Sequence, residues 1–176
     1  MRLFVAIDLD QEDYFKKIQE QIPETKATYP KTYHLTLKFL GEIDKQQEIT
    51  KAIENIKFKP FKLKTTHIGV FPSENYIKVV WLGLEDNNDL KKLQQDIEKS
   101  LESFNFKKDF DFHPHITLAR IKFIKQEEKQ NFIEKLKQIK FEQKEFEVKE
   151  FKLIKSELTS EGPVYEDIKT FTAVSQ

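Results

Sequence analysis

The chain opens with a β-branched and aromatic run, RLFVAIDL (Arg2 to Leu9), which predicts a strand. The period then changes. Phe15, Ile18 and Ile22 fall at i, i+3 and i+7, the spacing of one helical face. Pro23 and Pro30 punctuate the approach to a second strand, YHLTLKFLGE, which ends near Gly41. A helix from Asp44 to about Lys57 follows, with Ile49, Ala52, Ile53 and Ile56 on one stripe and Asp44 as N-cap. After Pro60, FKLKTTHIGVF reads as a strand and Pro72-Ser73 as a turn.

The order then begins again. YIKVVWLGLE (Tyr76 to Glu85) matches the first strand, and Asn87 or Asn88 caps a helix carrying Leu90, Leu93, Ile97 and Leu101. DFHPHITLARIKF supplies a strand, and Gln126 to Lys140 carries Phe132, Ile133, Leu136 and Ile139 at helical spacing. FEVKEFKLIKSEL closes the pattern, and the tail turns at Gly162-Pro163 and returns against the sheet. A β-α-β-α-β order thus occurs twice, with a period far longer than that of a solenoid repeat. The expectation is an α+β, bilobal, duplicated fold with a cleft between two pseudo-symmetric antiparallel sheets. Residues 1–176 would form one compact domain, with lobe-like halves near 1–73 and 74–176 whose termini are free to exchange.

One pattern recurs inside this duplication. HLTLKF starts at His34 and HITLAR at His115, 81 positions later, in a chain with only four histidines. In a strand, residues i and i+2 share a face. His34 and Thr36 therefore point one way and Leu35 and Leu37 the other; His115 and Thr117 repeat this, backed by Ile116 and Leu118. Two imidazoles on one site suit acid–base catalysis near neutral pH, one giving a proton while the other takes one. The two hydroxyls can donate to phosphate oxygens and stabilise transition-state charge. That set suits cleavage of a phosphodiester without a metal. The sequence shows no HExxH and no carboxylate pair inside either motif.

Composition narrows the classes. Lys and Arg together number 30, as do Asp and Glu, so no global basic field favours wrapping of long nucleic acid, whereas one phosphate or one strand end needs only local charge. There are no cysteines, which excludes disulfides, thiolate nucleophiles and thiolate metal sites. No apolar run reaches the roughly 18–20 residues of a membrane span. Acidic residues interrupt the N-terminal run by Asp8, so a signal peptide is not expected. The expectation is a soluble, cytoplasmic monomer without cofactor.

Several neighbours of the motif read less sharply. A single HxTx is weak, since Thr favours strands and a surface His is usually inert; the duplication is what gives it weight. His113 and His115 form HPH, and His67 could be a third metal ligand, but Pro114 distorts the strand between the first two and both extra histidines read better as rim residues. Lys38 shares the face of His34 in a regular strand and could attract phosphate. Arg120, one of only two arginines, falls opposite His115 under strict alternation and can reach the site only if the strand bends. Phe39, Phe71, Tyr76 and Phe112 read as core, with one of them available to stack on a base.

The two motifs together with RLFVAIDL resemble the 2H phosphoesterase superfamily. GVFPS (Gly69 to Ser73), VVWLGLE (Val79 to Glu85) and LTSEGPVYE (Leu158 to Glu166) are similar to its RNA 2′,3′-cyclic phosphodiesterase branch, also called 2′-5′ RNA ligase-like. The likeness runs from Arg2 to about Phe171. It implies metal-free hydrolysis of 2′,3′-cyclic phosphate RNA ends to 2′-phosphates, with 2′-5′ joining of tRNA halves in some members. It makes His34 the proton donor to the departing 3′ oxygen and His115 the base that activates water. Thr36 and Thr117 hold the phosphate, and Arg120 contacts the nucleotide. The approach KATYPKTYHL departs from the family's aromatic-Val-Pro-Pro pattern, keeping only Pro30. Competing readings are another cyclic nucleotide or nucleotide-sugar phosphate as substrate, and a non-catalytic RNA-end binding module.

Overall fold

The computed structural model describes residues 1–108 and 111–175. In chain order these build β1 (Arg2–Asp8), α1 (Glu12–Gln19), β2 (Lys26–Thr28), β3 (His34–Glu42), α2 (Gln46–Ile53), β4 (Phe61–Ser73) and β5 (Tyr76–Leu84). They continue with α3 (Asn88–Ser100), β6 (His115–Phe123), α4 (Lys129–Lys137), β7 (Glu145–Val148), β8 (Glu150–Thr159) and β9 (Gly162–Thr172). The expected elements are there, with changes at their ends; Pro72 and Ser73, expected as a turn, belong to β4 and pair with Ile77 and Tyr76. The carboxylate of Asp44 does not cap α2, which begins at Gln46; it faces the Met1 ammonium at 3.5 Å. Asn87 caps α3, its Oδ1 accepting from the Leu90 amide at 2.9 Å. The last expected helix starts as a 3-10 turn at Gln126–Glu128 and is α-helical only from Lys129. β2 lies in a stretch whose sequence showed only punctuation, and it pairs with β6.

Every strand pairing is antiparallel, in the order β7-β4-β5-β6-β3-β1-β8-β9. The path is two groups of strands joined at one bridge, Leu35 opposite Ile116. β3, β1, β8 and β9 form one group, and β6, β5, β4 and β7 the other. Pairing therefore crosses the midpoint of the sequence: β4 lies between β5 and β7, whereas β8 returns to β1 and brings β9 with it.

The helices cover one face only. Leu3, Val5 and Ile7 of β1 pack in one core with Leu35 and Leu37 of β3, Ile116 and Leu118 of β6, and Phe15, Ile49, Leu93 and Phe132 from the four helices. Phe15 is central, stacked on Tyr33 at 4.6 Å and on Phe146 at 5.5 Å. Phe4 and Ala6 point the other way and form a small cluster with Ile154 and Tyr165 that contains no helical residue. The uncovered face is where the histidines lie.

Candidate active site

Leu35 and Ile116 are fully buried, and their bridge fixes the register of the two motifs. Continuing that register by one residue to each side sets His34 against Thr117 and Thr36 against His115. In a regular antiparallel pair directly opposed residues lie about 4.5–5.5 Å apart between Cβ atoms, and the diagonal pair His34 and His115 lies roughly 7–8 Å apart, a span that one phosphate group can bridge. All four side chains are partly buried on the uncovered face.

Both strands then break their alternation at the same place. Val5 pairs with Lys38 and Ala6 with Thr36, leaving Leu37 as the extra residue; Val80 pairs with Ala119 and Trp81 with Thr117, leaving Leu118. These are β-bulges, and each reverses the faces of the residues after it. Burial along β3 and β6 is consequently identical, position by position. The strand bend that Arg120 required exists: the bulge turns it to the side of His115 and Thr117, and its charge acts on His115. Lys38 is turned the opposite way, which corrects the expectation that it shares the face of His34. It is 1% exposed and pairs with Glu98 of α3 at 2.8 Å, also donating to the Lys107 carbonyl. Phe39 takes the exposed place beside the site instead, 6.0 Å from Phe4. Gln19 of α1 locks the second bulge, donating to the Leu118 carbonyl at 2.9 Å.

The two histidines have different surroundings. His34 Nδ1 meets Asp8 Oδ1 at 2.8 Å, and its Nε2 lies 3.1 Å from the Thr32 hydroxyl. A carboxylate only accepts, so Nδ1 carries the hydrogen. Asp8 is held on its other oxygen by Lys152 at 2.6 Å, and Lys152 also reaches Asp167 at 2.7 Å. Burial opposes ionisation of Asp8, but hydrogen bonds from His34 and Lys152 outweigh it and keep the carboxyl below its ordinary range. Burial likewise opposes the charge on Lys152, and the two aspartates overcome it, raising its pKa. Tyr165 stands edge-on to His34 at 4.9 Å.

His115 has no carboxylate. Its Nδ1 donates to the His113 carbonyl at 2.6 Å, leaving Nε2 as the free lone pair of the neutral ring. Burial lowers its pKa, the carbonyl bond works against that, and the charges of Arg120 and His113 add to the lowering. Phe71 stands edge-on at 4.9 Å and Trp81 lies 6.3 Å away.

Asp8, Lys152 and Asp167 were not singled out in the sequence. They reach His34 from β1, β8 and β9, so no local spacing joins them; only the AID end of the first strand, opposite the start of HLTL, offered a signal. His34 does have carboxylate company, in space though not in sequence. Of the remaining aromatics, Tyr76 is exposed and Phe112 packs on the core edge. His67 packs on Trp81 at 5.4 Å, and among the described residues no group of three or more His, Asp or Glu could hold a metal ion.

The model of the 2′-5′ RNA ligase superfamily matches residues 8–159, which includes both motifs, both bulges and Asp8. The chain belongs to that superfamily. Among its relatives, an RNA 2′,3′-cyclic phosphodiesterase of Methanocaldococcus jannaschii is 42% identical over 96% of this chain and 99% of that protein. Another, of Archaeoglobus fulgidus, is 34% identical over 97% of this chain and 99% of its own. The Thermus thermophilus protein TT0787 superposes with a TM-score of 0.79 at 26% identity, covering 98% and 97% of the two chains. Escherichia coli LigT complexed with 3′-AMP has the same fold, with a TM-score of 0.75 at 24% identity over 99% and 98%. The α+β superfamily fold thus spans the described chain, and no helix among the described residues is long and apolar enough to cross a membrane.

Proposed function

We propose that this chain is an RNA 2′,3′-cyclic phosphodiesterase that opens cyclic phosphate ends to 2′-phosphates without a metal. Water attacks phosphorus and the bond to O3′ breaks. His115 Nε2 takes the proton of the attacking water, and His34 Nε2 gives one to the departing oxygen. Thr36 and Thr117 donate to the non-bridging oxygens, and Arg120 holds the nucleotide by its planar fork. Exchange with solvent then restores a neutral His115 and a protonated His34.

The observation that carries this reading is the meeting of β3 and β6 at Leu35 and Ile116, with one His and one Thr from each on the uncovered face. The printed activity of the relatives from Methanocaldococcus jannaschii and Archaeoglobus fulgidus supports the substrate class. The same reading takes the protein as a single-domain cytoplasmic monomer. Superfamily membership favours a second activity on the same centre. A 5′-hydroxyl of a second RNA end, such as a tRNA half, replaces water and leaves a 2′-5′ bond.

Turnover of a 2′,3′-cyclic nucleotide in EDTA tests the proposal. His34→Ala and His115→Ala should each lower kcat by about 10²–10⁴, the usual contribution of a positioned acid or base. Loss of activity on chelation, restored by a divalent ion, would remove the metal-free mechanism. A full-rate single variant would remove the role given to that residue.

A further inference from the structure

The duplication supplies an internal control on what surrounds each histidine. In β1, Asp8 lies opposite His34; in β5, Gly83 lies opposite His115. The two positions are 75 apart, and Gln19 and Gln94, both buried, keep the same offset. Asp8 and Gly83 are thus structural counterparts, and at this position the two halves of the site differ. One ring meets a carboxylate, the other a position without a side chain. Gly83 is also tightly enclosed: a Cβ there would come within 2.8 Å of the Thr66 hydroxyl and 3.0 Å of Trp81, so these neighbours would have to shift.

The charges behind His34 form a closed set. Asp8 Oδ1 takes the Nδ1 hydrogen and Oδ2 takes Lys152 Nζ, so both oxygens are committed and the carboxylate cannot rotate freely. Lys152 is shared with Asp167, so two carboxylates and one ammonium carry one net negative charge. A protonated His34 neutralises it. The other groups against the ring, Thr32, Phe4 and Tyr165, bring no charge at neutral pH. Around His115, by contrast, the neighbours that bring charge are the cation Arg120 and the imidazole of His113, and the Nδ1 acceptor is an uncharged carbonyl.

Building on the functional reading above, we infer that Asp8, braced by Lys152 and Asp167, is the positioning residue that commits His34 to proton donation. Gly83 at the counterpart position leaves His115 to accept. Asp8 touches neither substrate nor reacting atoms. It acts through the imidazole by fixing the Nδ1–H form, aiming Nε2 and compensating the charge of the imidazolium.

Asp8→Asn is the test, with folding checked by thermal unfolding. The side chain keeps its size, but Lys152 claims the amide oxygen and turns the NH2 toward Nδ1, which must then accept. Nitrogen-15 NMR of the His34 ring at fixed pH should show a protonated Nδ1 in the wild type and an unprotonated one in the variant, with His115 unchanged. On a 2′,3′-cyclic nucleotide, kcat should fall roughly 10- to 100-fold, part of the contribution of a positioned acid, with KM little changed. The loss should shrink on a phosphodiester with a p-nitrophenyl leaving group, which departs without a proton. The loss in His115→Ala should not shrink.

An unchanged His34 Nδ1, or an equal loss on both leaving groups, would overturn the inference. Asp167→Asn provides a second variant that leaves Asp8 in place. It should let Lys152 draw Asp8 away from the ring and give a smaller loss of the same leaving-group-dependent kind; no loss overturns the bracing role. The NMR readout needs no turnover. A wild type inert on every cyclic phosphate would therefore sink the functional reading, while the ring measurement still judges the role of Asp8.

Discussion

Phe39 and Arg120 occupy the same place in the two central strands, each three residues beyond a site threonine and each exposed beside the histidines. One lobe thus presents a ring and the other a guanidinium. The cation lowers the pKa of His115, secondary to burial. In the proposed role His115 is the base and must be neutral to act, so the acid limb of kcat/KM should lie below pH 6.5, the ordinary value for histidine. Arg120→Met removes a positive charge, so protonation becomes easier and that limb should move to higher pH, with KM raised as the nucleotide loses its fork. A limb that stays in place would show that Arg120 does not act on His115. Stability has the same sign. The unfolded chain takes this proton more readily than the folded one, so His115 costs stability as pH falls through and below 6.5.

Lys38 should matter to stability and not to substrate binding. It is 1% exposed and its partner Glu98 is 22% exposed, so Lys38→Met leaves a carboxylate half-stranded against the core. Breaking a fully buried pair costs about 3–5 kcal/mol, and the partial exposure of Glu98 puts this case toward or below the lower end. Denaturant unfolding should show that loss, and the double variant with Glu98→Leu should regain much of it. A raised KM without a stability loss would return Lys38 to the site.

The bulges explain which parts of this site could be read from sequence. The HxTx pair lies before the bulge, where alternation holds, so His34, Thr36, His115 and Thr117 were placed on one face without ambiguity. Lys38 and Arg120 lie after it, where alternation inverts, so a regular strand puts Lys38 on the wrong side and admits Arg120 only through a bend. A trace of the bulge is present in both motifs. Apolar residues fall one and three places after each histidine, then six: Leu35, Leu37, Leu40 and Ile116, Leu118, Ile121. That change from odd to even, made twice, marks the inversion. Asp8 and Asp167 left no comparable trace, because strand pairing over long separations brings them to His34. The elements were legible from periodicity; β2, at three residues, is too short to have a period.

Gln19 should prove essential to the second bulge. A bulge leaves a ladder carbonyl unpaired, and Gln19 Nε2 serves Leu118 O at 2.9 Å and Pro30 O at 3.0 Å while Tyr33 donates to its Oε1 at 2.6 Å. Gln19→Leu fits the apolar surroundings but strands these groups, at about 1–3 kcal/mol for a buried unsatisfied group. Amide hydrogen exchange should rise locally along β6, and activity should fall because Arg120 follows the bulge. Wild-type stability with wild-type exchange would show that water, or a relaxed backbone, satisfies the carbonyl as well.

Trp81, the chain's single tryptophan, rests on Gly69 across the β4–β5 pair, and a Cβ at that glycine would stand 2.2 Å from the indole ring. That overlap is with a rigid aromatic ring, which cannot yield by a bond rotation at its tip. Gly69→Ala must therefore displace Trp81, which lies 6.3 Å from His115 and 5.0 Å from Phe71, so the wall beside the base moves with it. Overpacking of this kind costs about 1–3 kcal/mol. The emission of Trp81 reports the displacement directly, without interference from a second tryptophan. The expected result is a shifted emission spectrum, a lower melting point and a kcat reduced more than KM is raised, because the displaced residue flanks the proposed proton acceptor. An unshifted spectrum together with full activity would show that β4 retreats and leaves the indole in place.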